Sequence, residues 1–268
     1  MRRRAWLLGA GAAGGALLVG WTVLPQRSRL GSPRLWGGSA GVALNGWIRI
    51  DADGGVSLAM PRSEMGQGVH TALAMLAAEE LDVPLRAVRL VQARGDAIYG
   101  NVAYSIVNLP FHPLQVERED GFGRVKAIQW MVGKVAREIG INATGGSASV
   151  ADAWPVLRLA AATARASLLG AASLQWRLPV EELLVRDGVV SHPSGKSAAY
   201  AEMARFAAAT PPGEVRLKEP RDWKLIGRPA PRVDVPAKVD GSAVFGIDVR
   251  VPGLKFAAVR LCPMLGGS

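Results

Sequence analysis

Cysteine and histidine are scarce in this chain, and acid is missing from its start. Cys262 is the only cysteine among 268 residues, which excludes an intrachain disulfide framework, and no Cys/His cluster has zinc spacing. His70, His112 and His192 lie far apart in sequence, and isolated histidines are more often structural or exposed than ligands. No Asp or Glu precedes Asp51, while the first forty residues hold Arg2, Arg3, Arg4, Arg27, Arg29 and Arg34. The net charge of +10 is therefore mostly N-terminal, and the rest of the chain carries only +4. That remainder has no basic block and no aromatic ladder set among basic residues, so the signatures of nucleic-acid binding are missing. Its 49% apolar content excludes disorder and suffices for one large domain or two ordinary ones.

What is present begins with an address. Residues 1–40 open on Arg2-Arg3-Arg4 and continue into an apolar run from Ala5 to Val23, rich in Gly and Ala. Arg3-Arg4-Ala5-Trp6-Leu7 resembles a twin-arginine signal, which exports proteins already folded, often around a cofactor, and so implies a periplasmic location. No clean small-x-small cleavage site follows. A run of about 19 residues can just span a bilayer, so removal and retention as a membrane anchor both fit. Gly9-Ala10-Gly11-Ala12-Ala13-Gly14 matches the dinucleotide fingerprint, but three arginines precede it in place of a strand, and no acid follows at the required distance. Ser194-Gly195-Lys196-Ser197 likewise lacks the upstream glycine of a phosphate loop and reads as a turn between strands.

Regular structure is expected from Asn45 onward. "GWIRI", "DADGG" and "VSLAM" spell a hairpin. Val69, Ala72, Leu73, Leu76 and Ala77 then recur at helical spacing, predicting a helix from Gly68 to about Leu81, followed by a strand at "AVRLVQA". Tyr104 to Ile141 reads as loops, "LPFHP" and "REDGFG", then a helix over Lys126–Ile139. Ser149 and Asp152 have capping-box spacing, and Asp152 could itself cap, which would put Pro155 in the first turn. Either way a long helix runs to about Trp176 with a face of small residues, Leu157, Ala161, Ala164, Leu168 and Ala171. "ELLVRDGVVSH" is a second hairpin around Asp187-Gly188, and "AAYAEMARFAAA" a short helix before Thr210-Pro211-Pro212. "AVFGIDVRVPGLKFAAVRLCP" reads as two strands joined by Pro252-Gly253.

Two glycine loops open helices. In Met65-Gly66-Gln67-Gly68 the missing side chains let a ligand approach helix-terminal amides, a setting that favours phosphate without Lys or Arg, and Gln67 adds an acceptor and two donors for a polar heterocycle. Thr144-Gly145-Gly146-Ser147-Ala148-Ser149 repeats the design. Together they suit an elongated ligand with a phosphate and a hydrogen-bonding ring; a turn that needs only φ > 0 would also account for either glycine pair. Glu64 could act as a general acid or base, though a carboxylate before a helix is more often a dipole partner. Glu79 and Glu80 read as a solvated helix end.

"IRIDADGGVSLAMPRSEMGQGVHTALAMLAAEEL", "TGGSAS" and "GRPAPRVDVPAKVDGSAVFGIDVRVPGLKFAAV", in this order, resemble the molybdopterin-binding subunit of the xanthine dehydrogenase and aldehyde oxidase family, nearest the isoquinoline 1-oxidoreductase beta-subunit type. The resemblance covers nearly everything from Asn45 onward. It implies an α+β fold in which hairpins of a mixed sheet pack with helices. Residues 41–212 would form part of a molybdopterin-binding domain, 213–226 a linker, and 227–268 the start of an incomplete α/β hammerhead-like domain. In xanthine dehydrogenase the M-G-Q-G segment follows that domain, and the reversed order here favours the isoquinoline branch.

The resemblance further implies that Gly66, Gln67 and Gly68, with Gly145, Gly146, Ser147 and Ser149, hold a molybdenum–molybdopterin cofactor, often the cytosine dinucleotide form. The metal would be bound through the cofactor's dithiolene, so no protein ligand is required. Its expected reaction is hydroxylation of an aldehyde or N-heterocycle with oxygen from water, with electrons passing to a small 2Fe-2S subunit and in some systems a cytochrome c. Family members are more than twice as long, and no residue here matches their C-terminal catalytic glutamate, so the chain reads as an N-terminal portion with no catalytic residue assigned. The alternatives are a truncated, non-catalytic remnant or an exported anion-binding module.

Overall fold

A computed structural model describes residues 20–21, 28–38, 41–112 and 123–267. Two compact units divide at Pro231/Arg232. The first is built on a four-stranded sheet, β1 (Gly41–Ala43), β2 (Ile48–Asp51), β3 (Val56–Met60) and β4 (Val88–Gln92), in that order. The expected hairpin is β2–β3, with Ile48 opposite Leu58 and Ile50 opposite Val56. Its turn closes at Gly54, whose φ of 85° suits a residue without Cβ. β4 returns parallel to β3 after helix α1 (Val69–Leu81). Every residue of β3 is buried, as befits a central strand with both faces covered. β1, invisible in the sequence pattern, extends the sheet antiparallel to β2.

Three further helices complete the first layer of packing: α2 (Val102–Val107), α3 (Arg124–Ile139) and α4 (Ser149–Trp176). The small face expected on the long helix is real. Leu157, Ala161, Ala164, Leu168 and Ala171 are all buried, and the absence of bulk lets α4 pack closely against α1. A second sheet, β5 (Leu184–Arg186), β6 (Val189–Ser191) and β7 (Ser197–Ala199), contains the second hairpin, with Asp187 and Gly188 both at positive φ as a type I′ turn requires. Ser194-Gly195-Lys196 makes the β6–β7 turn, where the His192 N–H donates to the Lys196 carbonyl at 2.9 Å. Helix α5 (Tyr200–Ala209) follows, and the Tyr200 hydroxyl donates to the Leu81 carbonyl at 2.8 Å.

Four expectations need correction. Residues 28–38 are packed into the fold where a linker was expected: Arg29 ion-pairs with Asp152 at 2.8 Å, and Trp36 Nε1 donates to the Asn45 carbonyl. The remaining parts of the expected signal, 1–19, 22–27 and 39–40, lie outside the described residues, as does most of "REDGFG". Neither capping arrangement forms at α4. Ala148 occupies the N-cap without a side-chain bond, Asp152 sits in the first turn, and Pro155 lies inside the helix. The stretch 213–226, expected as linker, is packed within the first unit, because Glu79 and Glu80 are buried acceptors for it and not a solvated helix end. Finally, the second unit, Arg232–Ser268, holds a short helix α6 (Val235–Val239) and no strand among its described residues. The Pro252-Gly253 turn is present, but its flanks lie exposed with no ladder partner among the described residues, and alternation alone does not make a strand.

Among the described residues no helix is long and apolar enough to cross a membrane. In the core, Trp47 and Tyr99 pack edge to face with ring centroids 4.9 Å apart, and the Tyr99 hydroxyl donates to the Gly46 carbonyl. Burial pushes the Tyr99 phenol up to about 12, and that of Tyr200 in the same direction. Because these folded values lie above the ordinary ~10, the neutral phenols' contribution to stability is complete below about pH 10 and is lost as pH rises through the folded value. Both phenols should ionise only as the fold opens above that range. Phenolate absorbance from Tyr99 at pH 10 in a still-folded chain would contradict this.

Candidate functional site

The two glycine loops meet. Met65, Gln67, Gly68, Val69 and Ala72 from one side, and Thr144, Gly145, Ser147, Ser149 and Val150 from the other, line a single cavity of about 350 Å³. The Ser63 N–H donates to Thr144 Oγ1 at 2.9 Å and ties the loops together at one end. Gln67, Gly68, Gly145, Ser147 and Ser149 are thus brought into one cleft. Gly66 and Gly146 shape the loops without lining it.

Each glycine has its own physical reason. Gly66 and Gly68 adopt φ of 100° and 84°, and a Cβ on either would meet nothing within 4 Å. Their backbone faces open space, so conformation and ligand access both favour glycine. Gly145 and Gly146 are small for packing: a Cβ would lie 3.1 Å from the Tyr104 ring or 2.9 Å from Val107 Cγ2. Gly146 (φ 59°) and Ser147 (φ 52°) are the central pair of a turn closed by Ala148 N–H donating to the Gly145 carbonyl. α4 then starts without a side-chain cap, and Ser149 and Val150 of its first turn line the cleft.

The first loop differs from expectation in its polar groups. Glu64 Oε1 accepts from the Gly66 and Gly68 amides at 2.9 and 2.8 Å, and Oε2 accepts from the His70 amide at 3.1 Å. The dipole-partner reading of Glu64 is the one the geometry supports: its carboxylate already occupies the place at the start of α1 that a phosphate would take. Gln67 is also partly committed, its Oε1 accepting from the Met65 amide and its Nε2 donating to the Ser63 carbonyl. One amide hydrogen of Gln67 and a second lone pair remain for a ligand.

Behind the cleft stands a cluster that sequence reasoning missed. Asp152 accepts from Arg29 Nη1 and Nη2 (3.0 and 2.8 Å), Arg62 Nη2 (3.0 Å) and the Val102 amide (2.9 Å). Arg62 Nη1 donates to the Tyr99 carbonyl and Asn142 Oδ1. Desolvation lowers the pKa of Arg62, and Asp152 opposes that shift. Since Arg62 immediately precedes Ser63 and Asp152 lies in the first turn of α4, the ion pair fixes the two loops relative to each other. The available signal was an arginine two residues past the buried strand β3, a position where an unpaired charge is untenable.

The histidines do not converge. His70 Nε2 lies 3.0 Å from the Arg62 carbonyl, while His192 sits between Glu182 and Ser194. Among the described residues no group of three His, Cys, Asp or Glu could hold a metal ion.

The described fold is an α+β domain in which two helix-opening glycine loops share one cleft. A family model described as molybdopterin cofactor-binding domain matches residues 11–105. The chain is 32% identical over 263 residues to the beta subunit of isoquinoline 1-oxidoreductase from Brevundimonas diminuta, covering 85% of this chain and 29% of that protein. It is 28% identical to a nicotinate dehydrogenase subunit from Pseudomonas putida, covering 82% and 15%, and 26% identical to a membrane-bound aldehyde dehydrogenase [pyrroloquinoline-quinone] of Gluconacetobacter polyoxogenes, covering 83% and 24%. These matches support the molybdopterin-binding subunit family for this chain. It spans less than a third of the length of these curated relatives.

Proposed function

We propose that this chain supplies part of the cofactor-holding framework of an exported molybdenum hydroxylase. The single observation that carries the reading is the shared cleft, where two loops distant in sequence present glycine backbone, three hydroxyls and an uncapped helix start to one space. Those residues fit a pterin nucleotide: Ser147, Ser149 and the first amides of α4 would take its phosphate groups, and Gly68 and the remaining polar groups of Gln67 its ring system. Because Glu64 fills the amides of the first loop, the anionic end belongs at α4 and the neutral end at α1. A dinucleotide with a cytosine base suits this polarity.

When bound, a molybdenum–pterin cofactor supplies two-electron oxidation with water as the oxygen source. This chain's own residues bind and orient, since no side chain at the cleft is placed as a general base: Glu64 is held by amides. The substrate is an aldehyde or an N-heterocycle. The names of the three relatives, an isoquinoline oxidoreductase, a nicotinate dehydrogenase and an aldehyde dehydrogenase, support both classes, although the third names pyrroloquinoline quinone as its cofactor. Electrons would pass to a 2Fe-2S subunit, with a cytochrome c as a further partner; two of the relatives are named as parts of larger enzymes. Export through the twin-arginine-like start, with the apolar run kept as an anchor, completes the reading.

Titration of the chain with cytidine diphosphate, followed by amide NMR shifts, tests the polarity. Saturable shifts are expected at Ser147, Ser149 and Val150, with Gly66 and Gly68 little affected. Shifts confined to Gly66 and Gly68 would reverse the assignment, and none at either loop would remove it.

A further inference from the structure

Away from the cleft, the β6–β7 turn places a serine, a histidine and a glutamate in one line. The Gly195 N–H donates to the His192 carbonyl at 3.0 Å, so Pro193 and Ser194 are the central residues of the turn. Ser194 is exposed, and beside it Gly195, at φ of 90°, has open space where a Cβ would stand. The His192 side chain is only 10% exposed.

The two ring nitrogens of His192 have fixed roles. The Ser194 N–H donates to Nδ1 at 3.0 Å, and Ser194 Oγ lies 2.7 Å from the same nitrogen. A backbone amide can only donate, so Nδ1 is unprotonated and the Ser194 hydroxyl is the donor in the second contact. Nε2 therefore carries the ring hydrogen and donates it to Glu182 Oε2 at 2.9 Å. The turn is already closed by backbone bonds, and Glu182, ten residues earlier, holds the imidazole in the tautomer that can take the serine's proton. The same bonds limit the chemistry. The Ser194 and Gly195 amides are both committed to His192, so neither is placed to hold the charge that develops on a carbonyl oxygen. A substrate must then bring its own good leaving group.

We propose that Ser194 is an acyl-acceptor site for small activated esters such as aryl acetates, with His192 as general base and Glu182 as its positioning residue. The bond from Oγ to the acyl carbon forms as the bond from that carbon to the aryl oxygen breaks. The hydroxyl proton passes to His192 Nδ1 and on to the departing phenolate, leaving an O-acyl serine and a phenol. No electron is gained or lost. Because oxyanion donors are lacking at the turn, the acyl-serine accumulates.

The test incubates the full chain with p-nitrophenyl acetate and maps acetyl groups by mass spectrometry of its peptides. Ser197, exposed on β7 of the same hairpin, is the internal control. Acetylation at Ser194 should be at least about tenfold faster than at Ser197, a modest part of what a positioned base contributes. His192→Gln should remove the difference, and Glu182→Gln should reduce it with thermal stability unchanged. Equal rates at the two serines in the wild-type chain overturn the proposal whatever the variants do to folding. A fast rate at Ser194 that survives His192→Gln also overturns it, as does acetyl found on Lys196 to the same extent in wild type and Ser194→Ala.

Discussion

Replacing Asp152 with alanine is expected to destabilise the first unit by about 3–5 kcal/mol, the range for removing one partner of a buried charge cluster. Its carboxylate is 3% exposed, and it faces Arg62, 1% exposed, and Arg29, 12% exposed. Without it, two guanidinium groups remain side by side in the interior with one fixed negative charge fewer, and Arg62 Nε already has no hydrogen-bond partner among the described residues. The amide of Val102 loses its acceptor as well. Asp152→Asn, which keeps an acceptor but no charge, should fall between wild type and alanine. Urea unfolding of the three proteins measures this directly. A loss below about 1 kcal/mol for the alanine variant would show that the cluster is solvated. The cleft should suffer too, because Arg62 and Asp152 set the relative position of the loops that line it.

Glu79→Gln should release the strap that runs from residue 214 to residue 226. Glu79 Oε2 accepts from three successive amides, Lys224, Leu225 and Ile226, at 2.9, 2.6 and 3.1 Å, while Lys218 Nζ approaches Oε1 at 3.4 Å. Glutamine keeps one oxygen but places an NH₂ group where an acceptor is needed and removes the charge. Hydrogen bonds to a charged acceptor contribute about 1.5–3 kcal/mol each in favourable cases, and they are not additive in one network. A loss of about 2–4 kcal/mol is therefore expected.

The more specific readout is proteolysis. Lys218, Arg221 and Lys224 all lie in the strap, so trypsin should cut there faster in the variant, before the remainder of the first unit. Unchanged cleavage would mean that other contacts hold the strap. Arg158 is the leading alternative, since it pairs with Glu80, donates to the Lys218 carbonyl at 2.6 Å and stacks against Trp154 and Trp223.

These two sites also mark what the sequence could and could not reveal. Local periodicity and turn chemistry were legible: the β2–β3 hairpin, the Asp187-Gly188 turn, the small face of α4 and both glycine loops stand where pattern placed them. Long-range charge pairing was not. Glu79 and Glu80 stand near the end of a helix, where carboxylates are usually solvated, but α1 is buried nearly all round and their partners arrive about 140 residues later. Arg29 looked like part of a leader because its partner Asp152 lies 123 residues away. The segment from Ala243 to Pro263 shows the opposite failure, with alternation present and no neighbouring strand to satisfy it among the described residues. For the candidate cleft, residue types and loop character could be read, but Glu64's occupation of the first loop's amides could not, because it depends on a side-chain rotamer and not on spacing.

The most direct measurement is the molybdenum and pterin-nucleotide content of the protein, expressed with its natural neighbouring sequences in a host that makes the cofactor, beside a Ser149→Asp variant. Aspartate in the first turn favours a helix, so the stability of α4 should be preserved or raised while a negative charge enters the phosphate end of the cleft. The account predicts cofactor in the wild-type protein and a loss of at least about tenfold, or ~1.4 kcal/mol of binding, in the variant with no fall in thermal stability. Equal cofactor content in the two proteins, or none in a well-folded wild type, would contradict it.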